Sequence, residues 1–297
     1  VYNTYEPTGA GIHFWDGDDW IKPCAPPAPE EITFSSTSFL AGVKYAAGVA
    51  PVAGATSYVW TLPPAFTVFG ASDGATITFS APAGTYSIDV RAKNACGESS
   101  RRVSTQQIAA ITGCDALPSP PLITSANVEF VNNNAPLYTR NTVTLSTPVR
   151  IIGKGSKASI FSQSYSSVDY RDHPNPDYGS WFTWCMVALY GDILCPGEWR
   201  VPSREDFCKY ANDDRTNTND NSAIIGQAIG GSGGVDGWLL AGYALNSGTG
   251  SIGTLGTYWS STEHSSTTGY RVDVTSSGFS PSNYNGRYAG ASLRCVR

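Results

Sequence analysis

Apolar and polar positions alternate in short runs through the first third of the chain: "TSYVWTLP" (56–63), "ATITFSAP" (75–82) and "GTYSIDVRAKNACGES" (84–99), each bounded by Gly, Pro or Asp. Successive side chains of an extended chain point to opposite faces, so a period of two predicts half-buried strands, and turns at regular spacing predict a β-sandwich. From residue 114 the texture changes. "VEFVNNN" (128–134), "NTVTLSTPVRIIG" (141–153) and "KASIFSQSY" (157–165) read as strands, whereas "SWFTWCMVALYGDIL" (180–194) is dense enough in apolar residues for a buried helix. "SREDFCKYAND" (203–213) predicts a second helix, with Ser203 and Asp206 three residues on as its N-terminal cap. "GWLLAGYAL", "GTYWSSTE", "GYRVDVTSSGFSPS" and "YAGASLRCVR" predict strands separated by Gly, Ser and Asn turns. Few helices early and many strands late predict an α+β domain.

Two segments mark boundaries between these regions. "CAPPAPEEITF" (24–34) and "CDALPSPPLITS" (114–125) each run from a cysteine through a Pro-rich stretch into a β-prone Ile-Thr. Proline stiffens such stretches into extended spacers, so each reads as a linker into a new module. The expected organisation is therefore a short hairpin or tail over 1–23, a sandwich over 24–113 and an α+β domain over 114–297. "GIHFWDGDDWIK" carries the Asp-Gly turn of the hairpin. The sequence opens at Val1 without Met or a hydrophobic leader, as expected of a processed chain or an excised piece.

Charge and cysteine usage narrow the functional classes. Charged residues are 14% of the chain, the formal net charge is −5, and the longest basic run is the pair Arg101-Arg102, so no nucleic-acid partner is expected. The longest apolar runs, such as "CMVALY" (185–190), are too short for a transmembrane helix, which needs about 20 residues. Cys24, Cys96, Cys114, Cys185, Cys195, Cys208 and Cys295 include no C-x-x-C pair and no His at zinc-finger spacing. Together with the low charge they predict a disulfide-bonded extracytoplasmic protein, extracellular or at a cell surface, with an odd thiol left over.

The stretches "VAGATSYVWTLPP" and "GTYSIDVRAKNACGESS" resemble PKD-like immunoglobulin-type modules, which serve mostly as stalks and spacers on bacterial surface proteins. The resemblance implies Trp60 as the core tryptophan. In a sandwich of this kind the loop after the penultimate strand lies at the pole of the N-terminus, which predicts a Cys24–Cys96 bridge and leaves Cys114 over.

Several enzyme patterns fail in context. Gly230, Ser232 and Gly234 satisfy G-x-S-x-G inside the Gly-rich run "IGGSGGVDG", without the hydrophobic strand a nucleophile elbow requires. Gly248, Gly250 and Gly253 satisfy G-x-G-x-x-G with no βαβ unit around them. His13, His173 and His264 lie far apart and read as surface or turn histidines. The acidic groups Asp16, Asp18, Asp19 and Asp213, Asp214, Asp220 read as turn and loop chemistry rather than calcium ligands, so no metal and no cofactor is expected.

In the last 170 or so residues the blocks "LCPGEWRVPSREDF", "GTYWSSTE" and "SLRCVR" stand in an order that resembles the FISUMP family, a paralogous domain of bacterial surface proteins related to C-type-lectin-like and formylglycine-generating-enzyme-like folds. The resemblance implies a multidomain chain, an all-β immunoglobulin/PKD-like sandwich followed by an α+β C-type-lectin-like domain. A bridge from Cys195 to Cys295 then ties down the closing strand, and Cys185 and Cys208, one on each expected helix, form a further pair if the helices pack together. The enzyme relatives use C-terminal cysteines for redox chemistry, but a bridged Cys295 leaves no nucleophile there, so no catalytic residue is assigned. The E-P-N, Q-P-D and W-N-D tripeptides of calcium-dependent lectins are absent.

What remains is a recognition surface between Trp259 and Tyr288: Glu263, His264, Tyr270, Arg271, Asn283, Tyr284, Asn285, Arg287 and Tyr288. Tyr, Asn, Ser and Arg are types favoured in adaptable binding loops. Trp181, Trp184, Trp199 and Trp259 are expected in the core rather than as sugar platforms. The sequence therefore predicts a non-catalytic adhesin-like surface protein that binds a glycan or a host or matrix protein, with two alternatives: a structural surface or pilus-associated component, and a Cys-dependent enzyme.

Overall fold

The computed structural model describes residues 2–3, 11–12, 14–15, 20–22, 24–114, 123–131, 138–158, 160–211, 238–275 and 278–297. The chain divides into two compact units, Val1–Ala110 and Ile111–Arg297. The described residues are mostly β, with two α-helices among the strands of the second unit. Neither described helix is long and apolar enough to cross a membrane.

The first unit is a sandwich. One sheet orders Thr33–Phe34, Tyr45–Gly48, Thr76–Ser80 and Thr67–Phe69, all antiparallel. The other is built on the long strand Gly84–Asn94, which pairs with Arg102–Ala109, Gly97–Glu98 and Ser57–Thr61. Phe39–Leu40 joins its edge in parallel with Ile108–Ala109. The alternation in the sequence is the alternation of burial: Tyr58 and Trp60, Ile77 and Phe79, and Ile88, Val90 and Ala92 all face the core. Trp60 anchors one end by donating its indole N–H to the Gly74 carbonyl at 2.9 Å. The Cys24–Cys96 bridge is present, and Asn94 beside it donates to the Cys24 carbonyl at 3.0 Å. Short hairpin strands precede the sandwich, pairing Tyr2–Asn3 with Gly11–Ile12 and Phe14–Trp15 with Trp20–Ile21.

The second unit has the strand Val143–Ile151 flanked by Val128–Phe130 and Tyr138–Arg140 and paired also with Arg294–Val296. Tyr170–Asp172 and Ser180–Phe182 form a two-stranded ribbon, and the first helix, α1 (Trp184–Leu194), starts directly after it. The predicted buried segment 180–194 is thus strand and then helix. The stretch 157–165, expected as a strand, forms bends and turns in its described residues. The second helix, α2 (Arg204–Ala211), precedes a three-stranded antiparallel meander of Leu255–Ser265, Thr268–Thr275 and Phe279–Gly286. The core between α2 and the meander holds Phe207, Tyr210, Trp238, Tyr258, Val272, Val274 and Phe279.

Successive residues of the central meander strand show that the helices lie on opposite faces of this sheet. A Cβ at Gly269 would sit 2.2 Å from the Trp184 ring of α1, so only glycine fits, while Tyr270 beside it stacks under Arg204 of α2. This arrangement overturns the expected Cys185–Cys208 bridge, because the sheet separates the two residues. Cys185 instead pairs with Cys114, fastening the start of the unit to α1. Cys208 is the cysteine in no disulfide, buried with its Sγ 3.4 Å from the Ser282 hydroxyl. Cys195–Cys295 is bridged across 100 residues.

Candidate ligand-binding face

The N-terminus of α2 is held by a reciprocal cap. The Asp206 N–H donates to the Ser203 hydroxyl at 3.1 Å, and the Ser203 N–H donates to Asp206 Oδ2 at 2.7 Å. Asp206 is also clamped by Arg200, whose two terminal nitrogens donate to its two oxygens at 2.5 and 2.8 Å in a buried bidentate pair. The first residue of the helix, Arg204, is fixed in consequence. Its backbone N–H donates to Thr262 Oγ1 at 2.9 Å, its Nε donates to Ser282 Oγ at 3.0 Å, and its guanidinium lies 4.7 Å over the Tyr270 ring.

Tyr270 and Tyr284 are directly opposed across the meander and so share this face. His264 completes the group from the adjoining strand. Its ring stacks on Tyr284 at 4.0 Å and 4° between planes and meets Tyr270 edge to face at 4.9 Å. The Thr268 hydroxyl, 2.7 Å from His264 Nδ1, orients the imidazole. Tyr284 is 52% exposed, so one face of this stack is open to solvent. Arg204, Tyr270, His264 and Tyr284 thus form one continuous aromatic and cationic surface.

The other residues expected in the recognition surface are elsewhere. Arg271 opposes Asn283 on the far face, where Arg271 Nη2 donates to Asp273 Oδ2 at 2.9 Å and Asn283 donates to the same oxygen. Burial raises the Asp273 pKa, while Arg271 and the hydrogen bonds pull it back. Asn283 and Asn285 also accept the backbone N–H groups of Tyr284 and Gly286 at 2.9 and 2.8 Å, which satisfies donors on the outermost strand of the meander. Tyr288 packs against Tyr165 with ring centres 5.3 Å apart.

Arg287 departs furthest from expectation. It is fully buried: Nη2 donates to Glu263 and, at 2.7 Å, to the Ser265 carbonyl, and Nη1 donates to the Thr112 carbonyl at 3.0 Å. Its guanidinium lies 4.4 Å over Trp184. Arg287 and Glu263 therefore bind the protein to itself and are removed from the recognition set. His173 is likewise no surface residue, being buried with both ring nitrogens hydrogen-bonded. His13 and both acidic groups, at 16–19 and 213–220, lie outside the described residues, as does the G-x-S-x-G run. Gly248–Gly250 is one strand of a hairpin with Tyr243–Leu245, not the turn of a dinucleotide site. Trp181, Trp184 and Trp259 are fully buried, while Trp199 is half-buried between Phe130 and Arg297.

Arg204 is the member of the face that sequence reasoning missed. It stands some 60 to 80 residues from its partners, and nothing local distinguishes it from any exposed arginine in the first turn of a helix.

Comparison with known proteins supports the first unit. Residues 25–107 match the PKD-like domain family, which points to a surface or extracellular protein, and the three disulfides fit the same location. No curated protein matches the chain. Among solved structures, the crystal structure of FN3tt is 16% identical, covering 29% of this chain and 97% of that one at a TM-score of 0.23. The solution structure of the fibronectin type-III domain of human fibronectin type III domain containing protein 3 is 17% identical, covering 33% and 94% at 0.23. At such scores the sandwich assignment rests on the strand pairing and the family match alone.

Proposed function

We propose that the chain is a non-catalytic, extracellular surface protein whose second unit binds a glycan or a host or matrix protein, with the PKD-like unit as its spacer. The observation that carries this reading is the open stack of Tyr284 on His264, braced by Tyr270 and Arg204. Stacked rings form a rigid amphipathic surface that loses little conformational entropy on binding. The ordered blocks from Cys195 to Arg297 that resemble the FISUMP family support the same reading, since that family belongs to bacterial surface proteins. Against an enzyme stands the fate of the cysteines: Cys195, Cys295, Cys114 and Cys185 are bridged, and Cys208 is buried.

The test is binding of the full chain to immobilised glycans and matrix proteins, with and without calcium, beside the variant Tyr284→Ala. Expected is a ligand whose binding falls about tenfold or more in the variant while thermal stability is unchanged. Absence of binding to every ligand in both conditions would sink this reading in favour of a purely structural surface or pilus-associated component.

A further inference from the structure

We infer that the ligand of this face is an anionic glycan, a sugar bearing a carboxylate or sulfate, with Arg204 as the anion-binding group and Tyr284 as the surface for the sugar ring. This rests on the reading above that the face is a binding site.

Charge balance around the arginines of the second unit is the first argument. Arg200 pairs with Asp206, Arg271 with Asp273, and Arg287 with Glu263. Arg204 is half-buried and, among the described residues, pairs with no carboxylate; its contacts are hydroxyls and an aromatic ring. With Nε committed to Ser282, its two terminal nitrogens keep the parallel donors that match the two oxygens of a carboxylate or sulfate. The carboxylates nearest along the strands are turned elsewhere, Glu263 to Arg287 and Asp273 to the opposite face.

Preorganisation is the second. A guanidinium held by the Nε–Ser282 hydrogen bond and stacked on a ring, on a residue whose backbone N–H is itself bonded to Thr262, has little rotamer freedom left to lose, so binding an anion costs less than at a mobile surface arginine. The third concerns the rest of a sugar. The hydroxyls of Tyr270 and Tyr284 and the Nε2 of His264 have no partner among the described residues, so polar tips surround an open aromatic face, as sugar hydroxyls require. The net charge of −5 also shapes the ligand. A net-acidic chain does not attract a polyanion at long range, and beyond about 10 Å charges are screened at 0.1 M salt, so recognition is of one local anionic group.

The experiment compares matched pairs on the full chain: sialyllactose with lactose, galacturonate with its methyl ester, and galactose 6-sulfate with galactose. Expected is binding to the acidic member of at least one pair about tenfold or more tighter than to the neutral member. Arg204→Gln should level that pair, Arg204→Lys should keep part of the preference, and Tyr284→Ala should weaken both members alike. Carboxylate-only or sulfate-only binding identifies the anion. Equal binding of acidic and neutral members, or a preference that survives Arg204→Gln, overturns the inference. Binding confined to neutral glycans or to matrix proteins overturns it while leaving the proposed function intact, and binding to nothing overturns both. Should Arg204→Gln fail to melt cooperatively, the matched pairs on the unaltered chain decide alone.

Discussion

His173 and Arg287 show how single polar side chains are carried inside this fold. His173 is 5% exposed; its Nδ1 accepts the Asn175 N–H at 2.9 Å, so Nε2 carries the proton and donates to the Ala241 carbonyl at 3.0 Å. Burial lowers its pKa. The folded state therefore holds the neutral ring, and the resulting stability is complete above the unfolded value of about 6.5 and is lost as pH falls from there through the depressed folded pKa. Thermal unfolding should show the melting temperature dropping as pH falls below about 6.5, and His173→Gln should be less stable at neutral pH with a flatter dependence on the acid side. An equally steep drop in the variant would remove His173 as the cause. Arg287 illustrates why such residues are hard to read in a sequence. Within "NYNGRYAG" it has the company of an exposed turn, and its burial depends on Glu263, Ser265 and Thr112, up to 175 residues away. The large apolar residues Trp181, Trp184 and Trp259 were legible as core because size and hydrophobicity are their own signal.

Strands with strict alternation were legible as elements, and the turns between them set how tightly each hairpin closes. Tyr138–Arg140 and Val143–Ile151 are joined by Asn141 and Thr142, both left-handed, with φ of 47° and 66°. Asn tolerates that region and is further held by donation to the Lys209 carbonyl at 3.0 Å; a β-branched Thr does not. Thr142→Gly should therefore raise stability by about 0.5–1 kcal/mol in denaturant unfolding, the relieved strain outweighing the entropy glycine adds to the unfolded chain. What the alternation could not reveal is which face of a sheet each helix covers. That choice separated Cys185 from Cys208 and brought Arg204 over Tyr270, so one of the four members of the candidate face and one disulfide depended on tertiary packing. Of the nine residues expected there, His264, Tyr270 and Tyr284 stand together because they lie on neighbouring strands of one meander.

Across the whole molecule, three bridges and one hidden thiol make a chemical signature that can be counted. A thiol reagent should find none in the folded chain and one after denaturation without reductant, since Cys208 is 3% exposed and the other six cysteines are paired. Cys195→Ser with Cys295→Ser opens a loop of 100 residues and should cost roughly 4–5 kcal/mol in urea unfolding, the loop-closure entropy returned to the denatured state. A loss below about 1 kcal/mol would show that the strand pairing alone holds that region.

The strand Arg294–Val296 adds a constraint in time. It lies between Val143–Ile151 on one side and Arg200 on the other, with Arg294 and Cys295 wholly buried. The centre of the second unit thus stays unfilled until some 150 residues after its first long strand have been delivered, however early the sandwich ahead of it has folded. Delivered from its N-terminal end, this unit stays an open chain until Arg294–Val296 arrives, and that strand acts as the latch.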